Sequence, residues 1–336
     1  MQNDTVYIWI QDNLIVNHTL AADILGISTS KFSFLINKTD TFIPFFVERS
    51  TPHDYKFFLK QDILDFKNGL SPAKTVYDWN ESAQFMYFLL RDIAVVDTTK
   101  IVNYLDLNRS SFINRRNRGK LDFLYSDKST NKSPYIFDWF DLLTYKLKTL
   151  SIDDTAIGIN TVYTHYSNIL TLRQSKSKII GFLSENIIIS KKQAAEVAGI
   201  TPHALSKLTL QALNDYETYQ DSPIYPFASV GSNKNRIDYF LRADLIRYDT
   251  NEKKSDYWDD ILYLYSWWCT KFLVSGKSNI SEFTSVTKNT INTDMKRGKL
   301  PPFWKQSYVT ESGVTRENFV YSKDELAHYV KLKNQI

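Results

Sequence analysis

A single cysteine, Cys269, occurs in this chain of 336 residues. That excludes an internal disulfide framework and any zinc site built on several thiolates. The five histidines (His18, His53, His165, His203 and His328) have no ligand-like spacing, so no metal or other cofactor is expected. No apolar run approaches the roughly 18 residues that a membrane helix needs, so no membrane partner is expected. Thr5 to Ile10 is apolar, but Gln11 and Asp12 interrupt it and no basic leader precedes it. No signal peptide is read there, and a reducing bacterial cytoplasm is the expected compartment. Charge of one sign is scarce too. The 41 Lys and Arg against 37 Asp and Glu leave a net charge of only +4. A polyanionic partner must therefore be argued from where the charges lie.

Signatures of catalysis are also missing. Gly276-Lys277-Ser278 matches the end of a phosphate-binding loop, but Lys271 stands where the first glycine belongs. No His-x-x-Arg occurs, which counts against a tyrosine recombinase. Asp256, Asp259 and Asp260, and Asp138 with Asp141, read as solvated charges on helices. A two-metal site would need carboxylates converging from several elements. Cys269 lies in an aromatic stretch with no histidine near it and reads as a buried thiol. No enzyme is expected.

What the chain has is repetition. Ile27, Leu107, Ile200 and Val286 each close a short helix-like stretch. An apolar residue follows five positions later: Phe32, Phe112, Leu205 and Ile291. Further apolar pairs precede at minus three and minus six: Ile24 and Ala21, Tyr104 and Ile101, Val197 and Ala194, Phe283 and Ile280. This spacing suits two short helices that bury a shared face around a tight turn. In the third copy Ser190 is an N-cap, Gly199 a helix stop, and Thr201-Pro202 a cap followed by proline at the first helical position. Asp97 or Thr98 is expected to cap the second copy, and Ser278 or Asn279 the fourth.

After each helix pair come a short aromatic strand, a polar turn and a second strand. A helix follows with a fixed acid–aliphatic–aromatic spacing: Asp62-Ile63 and Phe66, Asp141-Leu142 and Tyr145, Asp244-Leu245 and Tyr248, Glu325-Leu326 and Tyr329. With Arg118-Gly-Lys-Leu121 and Arg297-Gly-Lys-Leu300 opening the hairpin, this resembles the winged helix-turn-helix of MerR-type regulators and phage excisionase or AlpA-like proteins. The resemblance implies the fold and DNA binding. The expected fold class is mainly α with small β-hairpin wings (α+β): four tandem winged helix-turn-helix modules joined by helices. Their boundaries are read as 1–70, 71–150, 155–252 and 253–336.

The copies alternate. The first and third share Ala-Ala-x-aliphatic-x-Gly-Ile. The second and fourth share Arg-Gly-Lys-Leu, which begins 11 residues after the turn residue in both. The chain therefore reads as a two-module unit duplicated, with halves 1–150 and 155–336 and Ser151 to Asn160 as linker. The expected partner is double-stranded DNA. The second copy offers Asn108, Arg109, Ser110, Asn114, Arg115, Arg116, Arg118 and Lys120. The fourth offers Thr287, Lys288, Asn289, Asn292, Lys296, Arg297 and Lys299. Arginine forks and asparagine amides match base edges, and lysines match phosphates. By itself such a helix is an ordinary solvated face; its repetition in register favours the DNA reading. The first and third copies are poorer, with Lys31, and with His203 and Lys207. They read mainly as structural, docking or dimerising surfaces.

Extra helices precede the modules. Trp258, Ile261, Tyr265, Trp268 and Phe272 lie on one face, as do Phe85, Met86, Leu89, Leu90 and Ile93. They are expected to pack on the modules, with the Trp258–Phe272 stripe as the alternative interface for a second copy or a partner protein. The rival function is a protein-interaction scaffold.

Overall fold

The computed structural model describes residues 4–15, 18–39, 41–48, 55–126, 135–149, 173–231, 235–309 and 313–333. The expected linker Ser151–Asn160 lies outside them, as do most residues of the polar stretch 126–133. The described residues are mainly helical and hold four small antiparallel three-stranded sheets. The chain divides into two compact units, Met1–Val162 and Tyr163–Ile336.

The first unit opens with helix α1 (Asp4–Asn13) and strand β1 (Leu14–Ile15). The pair α2 (His18–Leu25) and α3 (Thr29–Lys38) follows, then β2 (Phe46–Glu48), β3 (Tyr55–Leu59) and α4 (Lys60–Lys67). The order then recurs: α5 (Glu81–Ile93), β4 (Ala94–Val95), α6 (Thr98–Leu105), α7 (Arg109–Asn117), β5 (Tyr125–Ser126), β6 (Tyr135–Asp138) and α8 (Trp139–Thr149). Each sheet places its last strand between the other two. The strand ahead of the helix pair is thus tied to the hairpin behind it. Helices α2 and α3 bend by 102° at their break, within the range of a helix-turn-helix.

The two repeats of this unit exchange their leading helices. Helix α1 packs on β5 of the second repeat, and α5 packs on β2 of the first. The Tyr7 ring lies 5.2 Å from that of Tyr125, tilted by 43°, and its hydroxyl donates to the Ser126 carbonyl. Phe45 is fully buried, with ring centroids of Trp9, Trp79 and Tyr87 at 5.7, 5.1 and 6.0 Å. The Glu48 carboxylate accepts from the backbone N–H groups of Val96 and Asp97 and pairs with Lys100 at 2.8 Å.

The second unit follows the same plan. It runs α9 (Arg173–Asn186), β7 (Ile187–Ile188), α10 (Lys191–Val197), α11 (Pro202–Asn214), a short helix α12 (Tyr216–Tyr219), β8 (Ala228–Val230), β9 (Ile237–Leu241) and α13 (Arg242–Arg247). Its second repeat is α14 (Asp260–Phe272), β10 (Leu273–Ser275), α15 (Lys277–Thr284), α16 (Lys288–Lys296), β11 (Trp304–Val309), β12 (Thr315–Ser322) and α17 (Lys323–Lys333). Again α9 packs on β11 and α14 on β8. Buried Phe227 lies 5.5 Å from both Phe182 and Trp258. The Gln306 side chain donates to the Ile187 carbonyl and accepts from the Ile189 N–H. Within each unit the two repeats interlock as a pair. The Trp258–Phe272 stripe is not a free interface: Trp258, Tyr265, Trp268 and Phe272 are all buried within this unit.

The acid that recurs in the closing helices has a structural use. Asp62 accepts from the Trp79 indole and the Ala73 N–H. Its counterpart Asp244 accepts from the Trp258 indole and the Tyr257 hydroxyl, and faces the buried Lys254 ammonium at 3.5 Å. Burial holds the Asp244 carboxyl above the usual carboxylate range. Burial also lowers Lys254 to about 8, against the pull of Asp244. Removing one partner of a buried ion pair leaves the other charge uncompensated. Asp244→Ala is expected to destabilise the second unit by about 3–5 kcal/mol, and Asp62→Ala, whose bonded partners are uncharged, the first by about 1–3 kcal/mol. Urea unfolding followed by tryptophan fluorescence measures both; equal losses would contradict the role given to Lys254.

Candidate nucleic-acid interface

The second helix of each pair is aimed by three local devices. The first is a residue in left-handed backbone conformation directly before the turn residue: Gly26, Asp106, Gly199 and Ser285, with φ of 66°, 54°, 68° and 56°. Only two are glycine; aspartate tolerates this region better than most residues. The second is the turn residue itself, half-buried in every copy. In three copies its N–H reaches the carbonyl of Ala22, Val102 or Ala195 one turn back. The third is an N-cap: Ser28, Asn108, Thr201 and Thr287 accept from the backbone N–H three residues on. Ser190 and Asp97 cap the preceding helices as the sequence suggests. The fourth copy departs. Gly276 occupies the cap position at φ 81°, a backbone conformation that residues with a side chain rarely adopt. Ser278 and Asn279 fall inside α15, and Asn279 donates to the carbonyls of Ser275 and Asn235.

The residue five after the turn (Phe32, Phe112, Leu205, Ile291) is fully buried in all four copies. That anchor fixes the rotation of the helix. Positions two, three, seven, ten and eleven after the turn are exposed in every copy. In α7 they are Arg109, Ser110, Asn114, Asn117 and Arg118. In α16 they are Lys288, Asn289, Thr293, Lys296 and Arg297. In α3 they are Thr29, Ser30, Phe34, Asn37 and Lys38, and in α11 they are Pro202, His203, Lys207, Leu210 and Gln211. The outer faces of α7 and α16 therefore carry cations, amides and hydroxyls. Those of α3 and α11 each present a large apolar side chain, Phe34 at 57% exposure and Leu210 at 52%.

Asn117 and Thr293 belong to these faces and are not among the sequence candidates; counting from the turn residue finds them. Arg115, Arg116 and Asn292 are candidates off the faces. The Arg116 guanidinium lies 4.1 Å over the Tyr135 ring in β6. Asn292 accepts from Lys277 of α15 at 2.7 Å. Arg115 donates to the Tyr145 hydroxyl and lies over its ring. Asn108 and Thr287 sit at the exposed start of their helices with their side-chain oxygens engaged as caps. Lys31 is exposed, one position beyond the face of α3.

Arg-Gly-Lys-Leu does not start a hairpin strand. It ends the helix. Gly119 and Gly298 take φ of 64° and 68°, and the following lysine N–H reaches back to the carbonyl of Arg115 or Asp294. Leu121 and Leu300 are then buried. Arg118, Lys120, Arg297 and Lys299 are thereby held at the exposed end of the second helix. The hairpin comes later; among the described residues β11 and β12 form the longest, with Lys305 paired to Glu317 at 2.9 Å.

Of the carboxylates weighed as a metal site, Asp256 and Asp259 are engaged by nearby backbone, whereas Asp138 departs from the reading as a solvated helix charge. Asp256 accepts from the Lys253 N–H and Asp259 from the Leu262 N–H. Asp138 is buried in its sheet. Compared with family models, with curated proteins and with solved structures, the chain shows no match.

If Gly298 is the helix stop, Gly298→Ala should cost about 1–2 kcal/mol through backbone strain alone, since nothing crowds the new methyl. Gly181→Ala, inside α9 and equally uncrowded, should stabilise the same unit by about 0.5–1 kcal/mol. Thermal melts of the two variants check the opposite signs.

Proposed function

We propose that the chain is a non-enzymatic, sequence-specific binder of double-stranded DNA, built of four tandem winged helix-turn-helix modules in two duplicated pairs. Modules two and four are the readers. The observation that carries this reading is the outer face of α7 and α16. Its five positions hold Arg109, Ser110, Asn114, Asn117 and Arg118 in one, and Lys288, Asn289, Thr293, Lys296 and Arg297 in the other. No carboxylate interrupts either set. Arginine and asparagine can each make two hydrogen bonds to a base edge, and lysine and hydroxyl side chains suit phosphates. The recurring strand order and the hairpin behind each helix pair are what a winged module requires. Repression, replication initiation, partition or excision on a plasmid or phage are the settings such a multi-module binder suits.

A second reading applies to modules one and three. Exposed Phe34 and Leu210, on the helices that would otherwise read DNA, favour contact with protein there. In its strongest form all four modules are a protein scaffold.

The two readings separate on a labelled duplex of random sequence. A DNA binder holds it at low salt and loses it with a slope near −0.9 per phosphate contact on logarithmic axes. Absence of duplex affinity at low salt would sink the DNA reading. On a selected site, Arg109→Ala and Asn289→Ala are each expected to lose about 1–3 kcal/mol of binding, with Lys31→Ala near neutral. Equal losses at all three would refute the division between modules.

A further inference from the structure

Two positions differ in charge between the two reader modules. Eight residues after the turn, α7 has Arg115 and α16 has Asp294. Four residues after the recurring tyrosine, α8 has Thr149 and α17 has Lys333. In the fourth repeat these positions close on each other. Asp294 accepts from Lys333 at 2.7 Å and from the Tyr329 hydroxyl at 2.6 Å, and Lys333 lies 5.3 Å over the Tyr329 ring. In the second repeat they leave an open cleft of about 410 Å3, lined by Asn114, Arg115, Arg118, Lys120, Tyr145 and Thr149. No carboxylate lines it. Tyr145 anchors Arg115 by a hydrogen bond and its ring face. Among the described residues that is the one hydrogen-bond partner of a group with five N–H donors.

Cations at a helix C-terminus also answer the helix dipole. That end carries only about half a negative charge, and three cations exceed it several-fold. Moreover, the carbonyls of Asn114, Arg115 and Arg116 are already met by backbone N–H groups of the turn. The positive charge is left facing the cleft.

We infer that this cleft is a phosphate-binding site that takes a backbone phosphodiester of the duplex, and that the fourth repeat holds the same site closed by its own ion pair. The inference rests on the DNA reading for the source of the phosphate, not for the site. The second module then grips the backbone through a contact that the fourth lacks, and the two readers differ in affinity as well as in base preference.

Reciprocal transplants in the full chain test this, because each variant borrows a side-chain pair already accommodated at the equivalent place. Arg115→Asp with Thr149→Lys should close the second cleft and make the salt slope of duplex binding shallower by about 0.9. A fourfold rise in salt would then cost that variant about 3.5-fold less affinity than it costs the parent. Asp294→Arg with Lys333→Thr should open the fourth cleft and steepen the slope by a similar amount. Unchanged slopes in both variants of a duplex-binding protein would overturn the site. If the parent does not bind duplex at low salt, inorganic pyrophosphate decides. Shifts of the Arg115 and Lys120 amide resonances on titration, lost in the first variant, would keep the site and assign it to free phosphate chemistry. Absence of such shifts would overturn it.

Discussion

Phe45 holds the first unit together and Phe227 the second, each within its own unit, and the reason is size. A helix pair with a three-stranded sheet has too little interior to close over its own apolar face. Each leading helix therefore covers the hairpin strand of the neighbouring repeat. The aromatic residue just before the strand is clasped between its own leading helix and the neighbour's, as Phe45 is by Trp9, Trp79 and Tyr87. Large rings bury much area for little conformational entropy, which accounts for an aromatic content of 15%. Glu48 and Gln306 add polar clamps of the same kind, each reaching from the hairpin of one repeat to backbone N–H at the start of the other's helix pair.

That arrangement leaves the second helix of each pair free to diverge. Its inner side is set by one fully buried anchor and by the turn residue, and its rotation is the same in every copy. The outer five positions have no packing duty. They hold arginine and asparagine in one repeat, lysine and asparagine in another, and phenylalanine or leucine in the remaining two. The same freedom extends one position inward, where Arg115 and Asp294 meet equivalent tyrosines with opposite charge. Constancy inside and variation outside are what a duplicated recognition scaffold would show.

Much of this is legible in the sequence because it is local. The turn residues, the buried anchors, the caps Ser190, Asp97 and Thr201, and the start of α11 at Pro202 follow from neighbours within one or two turns. The α+β class and the division near residue 160 follow from the repeat itself. What was not legible depends on distant contacts. Tyr7 meets Ser126 and Gln306 meets Ile189 across well over a hundred residues of chain, and no periodicity announces them. The Trp258–Phe272 stripe reads as a packing face, but its partner strand Ala228–Val230 is not announced by the sequence. Arg115 looks like a base reader until Tyr145 is brought beside it. Arg-Gly-Lys-Leu looks like a strand start because arginine, lysine and leucine fit one; the left-handed glycine decides otherwise.

The central claim is that α7 and α16, with the turns that end them, meet duplex DNA. Hydrogen–deuterium exchange of the full chain with and without a bound duplex at low salt tests it most directly. The account predicts slowed exchange over 109–120 and 288–299, with 29–38 and 202–214 unaltered. Protection confined to 29–38 and 202–214, or absent from all four helices when the duplex is bound, would contradict it.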